Sequence, residues 1–271
     1  MTRRLFQLRA FQCLAFLSIL TSGIVSAASA PSIGAKRAIV IDYDSGRILF
    51  EKNAHDRCAV ASTQKLLTAL CVLDAGSLKD KVTVVETDTY VEPTKVYIKP
   101  GETYTRYDLL QALMVKSGND VARALARDVS GSQANFCHYM NQKAVQMGMR
   151  NSHFCNPHGL TEKGQYSTAY DVAILARNAY SRRTIRDMVS NKGYYFQHPG
   201  GTRKYLKNTN RLLKSLSFCN GMKTGTTNAS GRCLVSSGTY KGRTAIVVCL
   251  GATSSTIWTD SEKLLRWALG L

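Results

Sequence analysis

The stretch Ser62-Thr63-Gln64-Lys65-Leu66-Leu67-Thr68-Ala69-Leu70-Cys71-Val72 decides how the rest of the chain is read. Leu66, Leu67, Ala69, Leu70 and Val72 form an apolar-periodic run, and the serine ahead of it marks a helix N-terminus. Residues three apart share a helix face, so Ser62 and Lys65 stand side by side. A serine hydroxyl is a weak nucleophile until a base removes its proton, and a lysine at this spacing can reach it. Helix N-terminal amides sit where negative charge develops on an attacked carbonyl. Alone, S-x-x-K is a common pattern whose plain reading is an N-cap and a solvated lysine. Its company along the chain decides between the two.

Upstream, Lys36 to Ile41 and Arg47 to Glu51 are short apolar runs joined by Asp42-Tyr43-Asp44-Ser45-Gly46, a hairpin signal. Further back, Arg3, Arg4 and Arg9 precede an apolar run from Phe11 to Val25 and then the small residues Ser26 to Ala30. Basic head, apolar middle and small-residue exit describe a secretory leader over 1–27, either cleaved or kept as an anchor. The expectation is therefore an exported protein of the periplasm or cell envelope.

Downstream, Lys81 to Thr105 reads as small strands or a covering loop, broken by Pro93 and Pro100-Gly101. Thr105-Arg106-Tyr107-Asp108 is a capping box opening a helix that ends at Ser117-Gly118, where Asn119 can cap the next. A helix follows from about Gln133 to Met147, with Gly148 as its terminator, and Thr168 to Asp171 repeats the capping pattern. From Tyr194 the period returns to two. Tyr194 to Gln197 and Arg203 to Lys207 bracket a Pro199-Gly200-Gly201 turn, and three meandering strands follow around Gly221 to Thr226, Leu234 to Ser237 and Thr244 to Leu250. A short helix, Ser261 to Leu269, closes the chain. The pattern predicts an α+β fold: a five-stranded antiparallel sheet from both ends of the chain, flanked by helices, with a mostly helical insert at about 79–214. One unit is expected over 34–271, without a second C-terminal domain.

The 271 residues carry a formal charge of +18, and removing the leader's three arginines leaves +15. No RNA-binding aromatic motif or basic low-complexity arm accompanies that charge, so nucleic acid is not an expected partner. Outside the cytoplasm, acidic envelope polymers and anionic headgroups are the natural neighbours. Seven cysteines follow the leader, an odd number; Cys219 with Cys233 could pair across a hairpin, and Cys137 with Cys155 is a weaker pairing. The five histidines show no zinc-ligand spacing, so neither a metal nor a cofactor is expected.

Two further motifs complete the case: Ser117-Gly118-Asn119 at a helix junction and Lys223-Thr224-Gly225 on a predicted strand. The order S-x-x-K, S-x-N, K-T-G, each in a fitting setting and behind a leader, is far more specific than any of its parts. The chain thereby resembles the penicillin-recognising serine enzymes, and among them the low-molecular-weight D-alanyl-D-alanine carboxypeptidases. The resemblance also extends to Asn156 to Leu160, Tyr166 to Asp171 and Asn208 to Leu213, which read as turn or cap chemistry with no catalytic role.

The resemblance implies a β-lactamase/transpeptidase-like fold and a role for each motif residue. Ser62 attacks the carbonyl of the penultimate D-alanine and Lys65 is its base; Ser117 relays a proton to the leaving amine. Asn119 holds the substrate amide and orients Lys65. Lys223, Thr224 and Thr226 meet the terminal carboxylate, Gly225 lets the peptide approach the strand, and the Ser62 and Thr226 amides make the oxyanion hole. Lys65 serves as base only when neutral, and burial beside the Lys223 cation favours that form. Peptidoglycan stem peptides are the implied substrates and β-lactams the implied covalent inhibitors. Val60-Ala61 stands where many relatives carry Pro-Ala, and the larger members continue into a β-rich domain and amphipathic anchor, so membrane attachment stays open. A D,D-endopeptidase, a β-lactamase and a non-catalytic envelope-binding protein remain as alternatives; Glu162 could not be assigned the β-lactamase general base.

Overall fold

A computed structural model describes residues 29–271; the leader expected at 1–27 lies outside them. The chain opens with a hairpin, β1 (Arg37–Asp42) and β2 (Ile48–Lys52). A 3-10 turn, Ala61–Gln64, then runs straight into α1 (Lys65–Asp74). Strands β3 (Lys81–Thr83) and β4 (Thr103–Thr105) pair with each other and bracket a long covering loop. Five helices follow: α2 (Arg106–Lys116), α3 (Asn119–Ser130), α4 (Gln133–Gln146), α5 (Ala169–Ser181) and α6 (Arg183–Ser190). A second hairpin, β5 (Gly193–Gln197) and β6 (Arg203–Lys207), precedes the single-turn α7 (Leu212–Ser215). Strands β7 (Cys219–Thr227), β8 (Gly231–Tyr240) and β9 (Arg243–Ala252) and helix α8 (Thr256–Leu269) complete the chain.

The main sheet has the antiparallel order β2-β1-β9-β8-β7, so both ends of the chain meet in its middle and β7 forms one edge. Its two faces follow from the period of two. Ile39, Ile41, Ile246, Val248 and Leu250 enter the core shared with the helices, whereas Ala38, Val40, Ala245, Val247 and Cys249 enter a second core against Leu264, Leu265 and Ala268 of α8. Because β9 is covered on both faces, it reads as an unbroken apolar run rather than an alternation. Helix α1 is buried from Lys65 to Val72 and packs among α2, α3, α4 and α5. A helix apolar on every side belongs at a core's centre, and that places the S-x-x-K segment there.

The Thr105 box forms as the sequence predicts: Thr105 Oγ1 accepts from the Asp108 amide while the Asp108 carboxylate accepts from the Thr105 amide. Other local readings change. Asn119 is the first residue of α3 rather than its cap, because its side chain is engaged elsewhere. Helix α6 was not foreseen, and α8 begins five residues before the expected Ser261. Neither expected cysteine pair forms; all seven described cysteines are free. Cys219 faces Gly238 and Cys233 faces Gly225, which puts them at opposite ends of the β7–β8 ladder, about 20 Å apart at ~3.3 Å per residue. Cys155 Sγ turns instead toward His153 Nδ1 (3.5 Å) and the Lys163 carbonyl (3.7 Å).

Candidate active site

Three segments distant in sequence converge where the 3-10 turn ahead of α1 meets the edge strand β7. The 3-10 turn holds Ser62 at the rim of a cleft of about 280 Å³, with Ser117, Thr209, Thr224, Gly225 and Thr226 in its walls. Lys65 lies beneath, fully buried at 0% exposure. Its Nζ reaches Ser62 Oγ at 2.8 Å, Asn119 Oδ1 at 2.6 Å and the His158 carbonyl oxygen at 2.5 Å. The Asn119 amide orientation is fixed by its other end, which donates to the Pro93 carbonyl.

That set of partners determines what Lys65 can do. The Asn119 and His158 oxygens only accept, so a neutral amine spends its two N–H groups on them and its lone pair faces Ser62 Oγ. The Ser62 hydroxyl currently donates to the His158 carbonyl over a long 3.2 Å bond. Rotation of the hydroxyl hydrogen toward Nζ aims the proton at that lone pair. Burial holds the Lys65 ammonium well below its ordinary pKa, the Lys223 cation lowers it further, and the Asp120 carboxylate opposes both.

Lys223 is also buried, at 1% exposure, and burial lowers its pKa to about 7. Its Nζ donates to Ser117 Oγ at 2.8 Å and to the Thr224 carbonyl at 3.0 Å. Ser117 takes a left-handed backbone, φ 68°, as the C-cap of α2. A non-glycine residue held there is uncommon and marks a constrained position. Lys65 and Lys223 thus each touch one of the two serines that face the cleft.

Gly225 has a packing reason that the sequence did not suggest. A Cβ there would lie 2.9 Å from the Ser62 nitrogen and 3.0 Å from Ala61 Cβ. The missing side chain lets β7 press against the serine's turn. Gly159 does the same from the other side: at φ 87° its Cβ would stand 2.2 Å from the Ala61 carbonyl oxygen.

All eight residues singled out from the sequence meet here, five in the cleft walls and Lys65, Asn119 and Lys223 behind them. Sequence reasoning missed several others. The loop Asn156 to Leu160, read as plain turn chemistry, supplies the His158 carbonyl that Lys65 binds. Asn156 frames that loop by accepting from the Gly159 amide and donating to the Leu160 carbonyl. Asp120, fully buried, holds the covering loop through the Val96 and Tyr97 amides. Arg211, Arg232 and Trp258 line the cleft, with Arg211 stacked over the Trp258 ring. No carboxylate is among the lining residues.

Comparison with known proteins places this arrangement. Residues 24–254 match the family described as D-alanyl-D-alanine carboxypeptidase. The chain is similar to the D-alanyl-D-alanine carboxypeptidase DacF of Bacillus subtilis, 37% identical over 81% of this chain and 58% of the relative. DacC of Escherichia coli is 36% identical over 88% of this chain and 62% of its own length. The chain thus spans about three-fifths of these two relatives. Among solved structures, a Streptomyces DD-transpeptidase superposes with a TM-score of 0.85 at 31% identity, covering 90% of this chain and all of that one.

Proposed function

The chain belongs to the D-alanyl-D-alanine carboxypeptidase family, and from that membership we propose that it is a serine D,D-carboxypeptidase acting on peptidoglycan stem peptides. The observation that carries this reading is the buried Lys65 Nζ, 2.8 Å from Ser62 Oγ with its other partners fixed. Ser62 attacks the penultimate D-alanine carbonyl as its proton passes to Lys65. The Ser62 and Thr226 amides stabilise the oxyanion, a contribution of about 2.7–4 kcal/mol per donor in enzymes of this kind. The C–N bond then breaks, and the departing D-alanine amine takes a proton through Ser117, which Lys223 steadies. Water releases the acyl group.

The terminal carboxylate is received by the Thr224 and Thr226 hydroxyls, with Arg211, Arg232 and the Lys223 charge behind them. Selection for a free carboxylate favours exopeptidase over endopeptidase cleavage. β-Lactams acylate the same serine. With no carboxylate in the cleft walls and Glu162 exposed on its loop, nothing drives fast hydrolysis of that adduct, which speaks against a β-lactamase. The leader composition supports export to the periplasm or envelope, and the catalytic unit is taken to span 34–271 with its helical insert at about 79–214. No helix among the described residues is long and apolar enough to cross a membrane.

Intact-mass spectrometry after incubation with labelled penicillin tests the site: one adduct on the wild type and none on Ser62→Ala. Product analysis on a pentapeptide and on a cross-linked dimer tests the class. Release of D-alanine from the first, with the second left intact, is the expected result; cleavage of the dimer alone would make it an endopeptidase.

A further inference from the structure

From Met188 to Thr259 the sequence contains ten lysines and arginines and no aspartate or glutamate. The β5–β6 hairpin lies within that stretch and turns an aromatic face outward. Tyr195 and Tyr205 stand directly opposite each other across the ladder, 60% and 50% exposed, with ring centroids 5.2 Å apart. The Arg203 guanidinium lies over the Tyr195 ring at 5.0 Å. The Tyr205 ring rests on Gly193, where a Cβ would come within 2.5 Å of its hydroxyl oxygen. On the inner face Phe196 and Leu206 are buried, so the hairpin is anchored while its outer rings stay in water.

The hairpin's other face, which carries Lys204 beside Phe196 and Leu206, leads toward the cleft. Lys204 Nζ sits 4.5 Å from the ring of Tyr97, itself 58% exposed, on the covering loop that carries Thr94 to the cleft wall. Strand β6 runs through Asn208 into Thr209, whose hydroxyl bonds that of Thr224 at 2.6 Å. Exposed aromatic rings grouped on a rigid element mark a binding surface more than a folding requirement.

We propose that the outer face of the β5–β6 hairpin is a docking platform for the glycan strand from which the scissile stem peptide projects. The choice of polymer rests on the carboxypeptidase reading; the existence of the platform does not. Pyranose C–H faces pack on Tyr195 and Tyr205, and the carboxylates of neighbouring stems meet Arg203 and Lys207, which share their face. The absence of any acid along this stretch makes the surface complementary to a carboxylate-bearing polymer.

The test measures pelleting of the full chain with purified sacculi beside kcat/KM on a soluble pentapeptide. Tyr195→Ser with Tyr205→Ser weakens pelleting about tenfold, as loss of two central rings would, and leaves soluble kcat/KM and labelled-penicillin acylation at wild-type levels. Arg243→Gln, at the β8–β9 turn away from the hairpin, removes one positive charge with little effect. Unchanged pelleting of the tyrosine variant overturns the proposal. So does an equal loss in Arg243→Gln, which would make the binding diffuse charge attraction, or tyrosine-dependent capture by phosphatidylglycerol vesicles in place of sacculi. If the wild type pellets through these tyrosines but leaves the pentapeptide uncut, the docking surface stands and the carboxypeptidase reading falls.

Discussion

In the mechanism proposed above, Lys65 and Lys223, both buried and both held below the ordinary lysine pKa, have opposite tasks. Lys65 must be neutral to take the Ser62 proton, so acylation rises with pH as Lys65 loses its charge. Lys223 must be charged to favour a carboxylate, and in the free protein burial brings its pKa to about 7. The kcat/KM profile is therefore a bell whose alkaline limb falls near there. A bound carboxylate favours the charged form and raises that pKa, so the alkaline limb of kcat lies at higher pH than that of kcat/KM. Lys223→Met removes the alkaline limb. It also moves the acid limb upward, because the Lys223 cation is among the causes that hold Lys65 down. Stopped-flow acylation with a chromogenic β-lactam across pH reads both limbs, and an unmoved acid limb would break the coupling. Lys65→Met should cost about 10²–10⁴ in acylation, the usual range for a general base. The Ser62–Lys65 pair was legible because i,i+3 spacing is itself geometry. The third partner of Lys65 was not, since the His158 carbonyl is a backbone group and no residue type announces it.

At the scale of elements, the 3-10 turn carrying Ser62 is clamped between two glycines of unlike severity. Gly159 combines a left-handed backbone with a 2.2 Å approach to the Ala61 carbonyl oxygen, whereas Gly225 meets Ser62 N at 2.9 Å. Gly159→Ala should thus lose more than about 3 kcal/mol, and Gly225→Ala about 1–3 kcal/mol together with much of its acylation rate. Urea unfolding checks the order, and a reversed ranking would refute the clamp. The loop on the Gly159 side adds a pH term. Burial, then the Lys65 and Arg123 charges, push the His158 pKa from 6.5 to about 3. Between those values the unfolded chain binds the proton and the native state does not, so stability falls as pH drops from 6.5 toward 3 and levels off below. His158→Gln should flatten that slope when unfolding is compared at pH 7 and pH 4. The hairpins and the Thr105 box were readable from turn and cap residues. Helix α6 was not, although Ile185, Met188 and Val189 show helical spacing. Only Arg182 separates it from α5, leaving no cap or turn signal between them.

For the whole molecule, period-two patterns at both ends of the chain made the strands legible, whereas the central place of β9 emerged only with the fold. That β7 forms the edge beside the 3-10 turn of Ser62 was not legible, because strand order depends on pairings between distant segments. Yet this placement governs the electrostatics of the site, since it faces an acid-free strand region with Arg211 and Arg232 toward a cleft that has no carboxylate in its walls. A field of one sign over a concave surface draws anions inward and raises their encounter rate. Screening weakens it: the Debye length shrinks from about 30 Å at 0.01 M salt to about 10 Å at 0.1 M. The second-order acylation constant should accordingly fall several-fold over that range for a dianionic β-lactam, and much less for a zwitterionic one. Arg211→Gln with Arg232→Gln should bring the two slopes together while Ser62 still takes one label. Parallel slopes in the wild type would mean that the cations act only on contact, holding a carboxylate already bound rather than gathering it from solution.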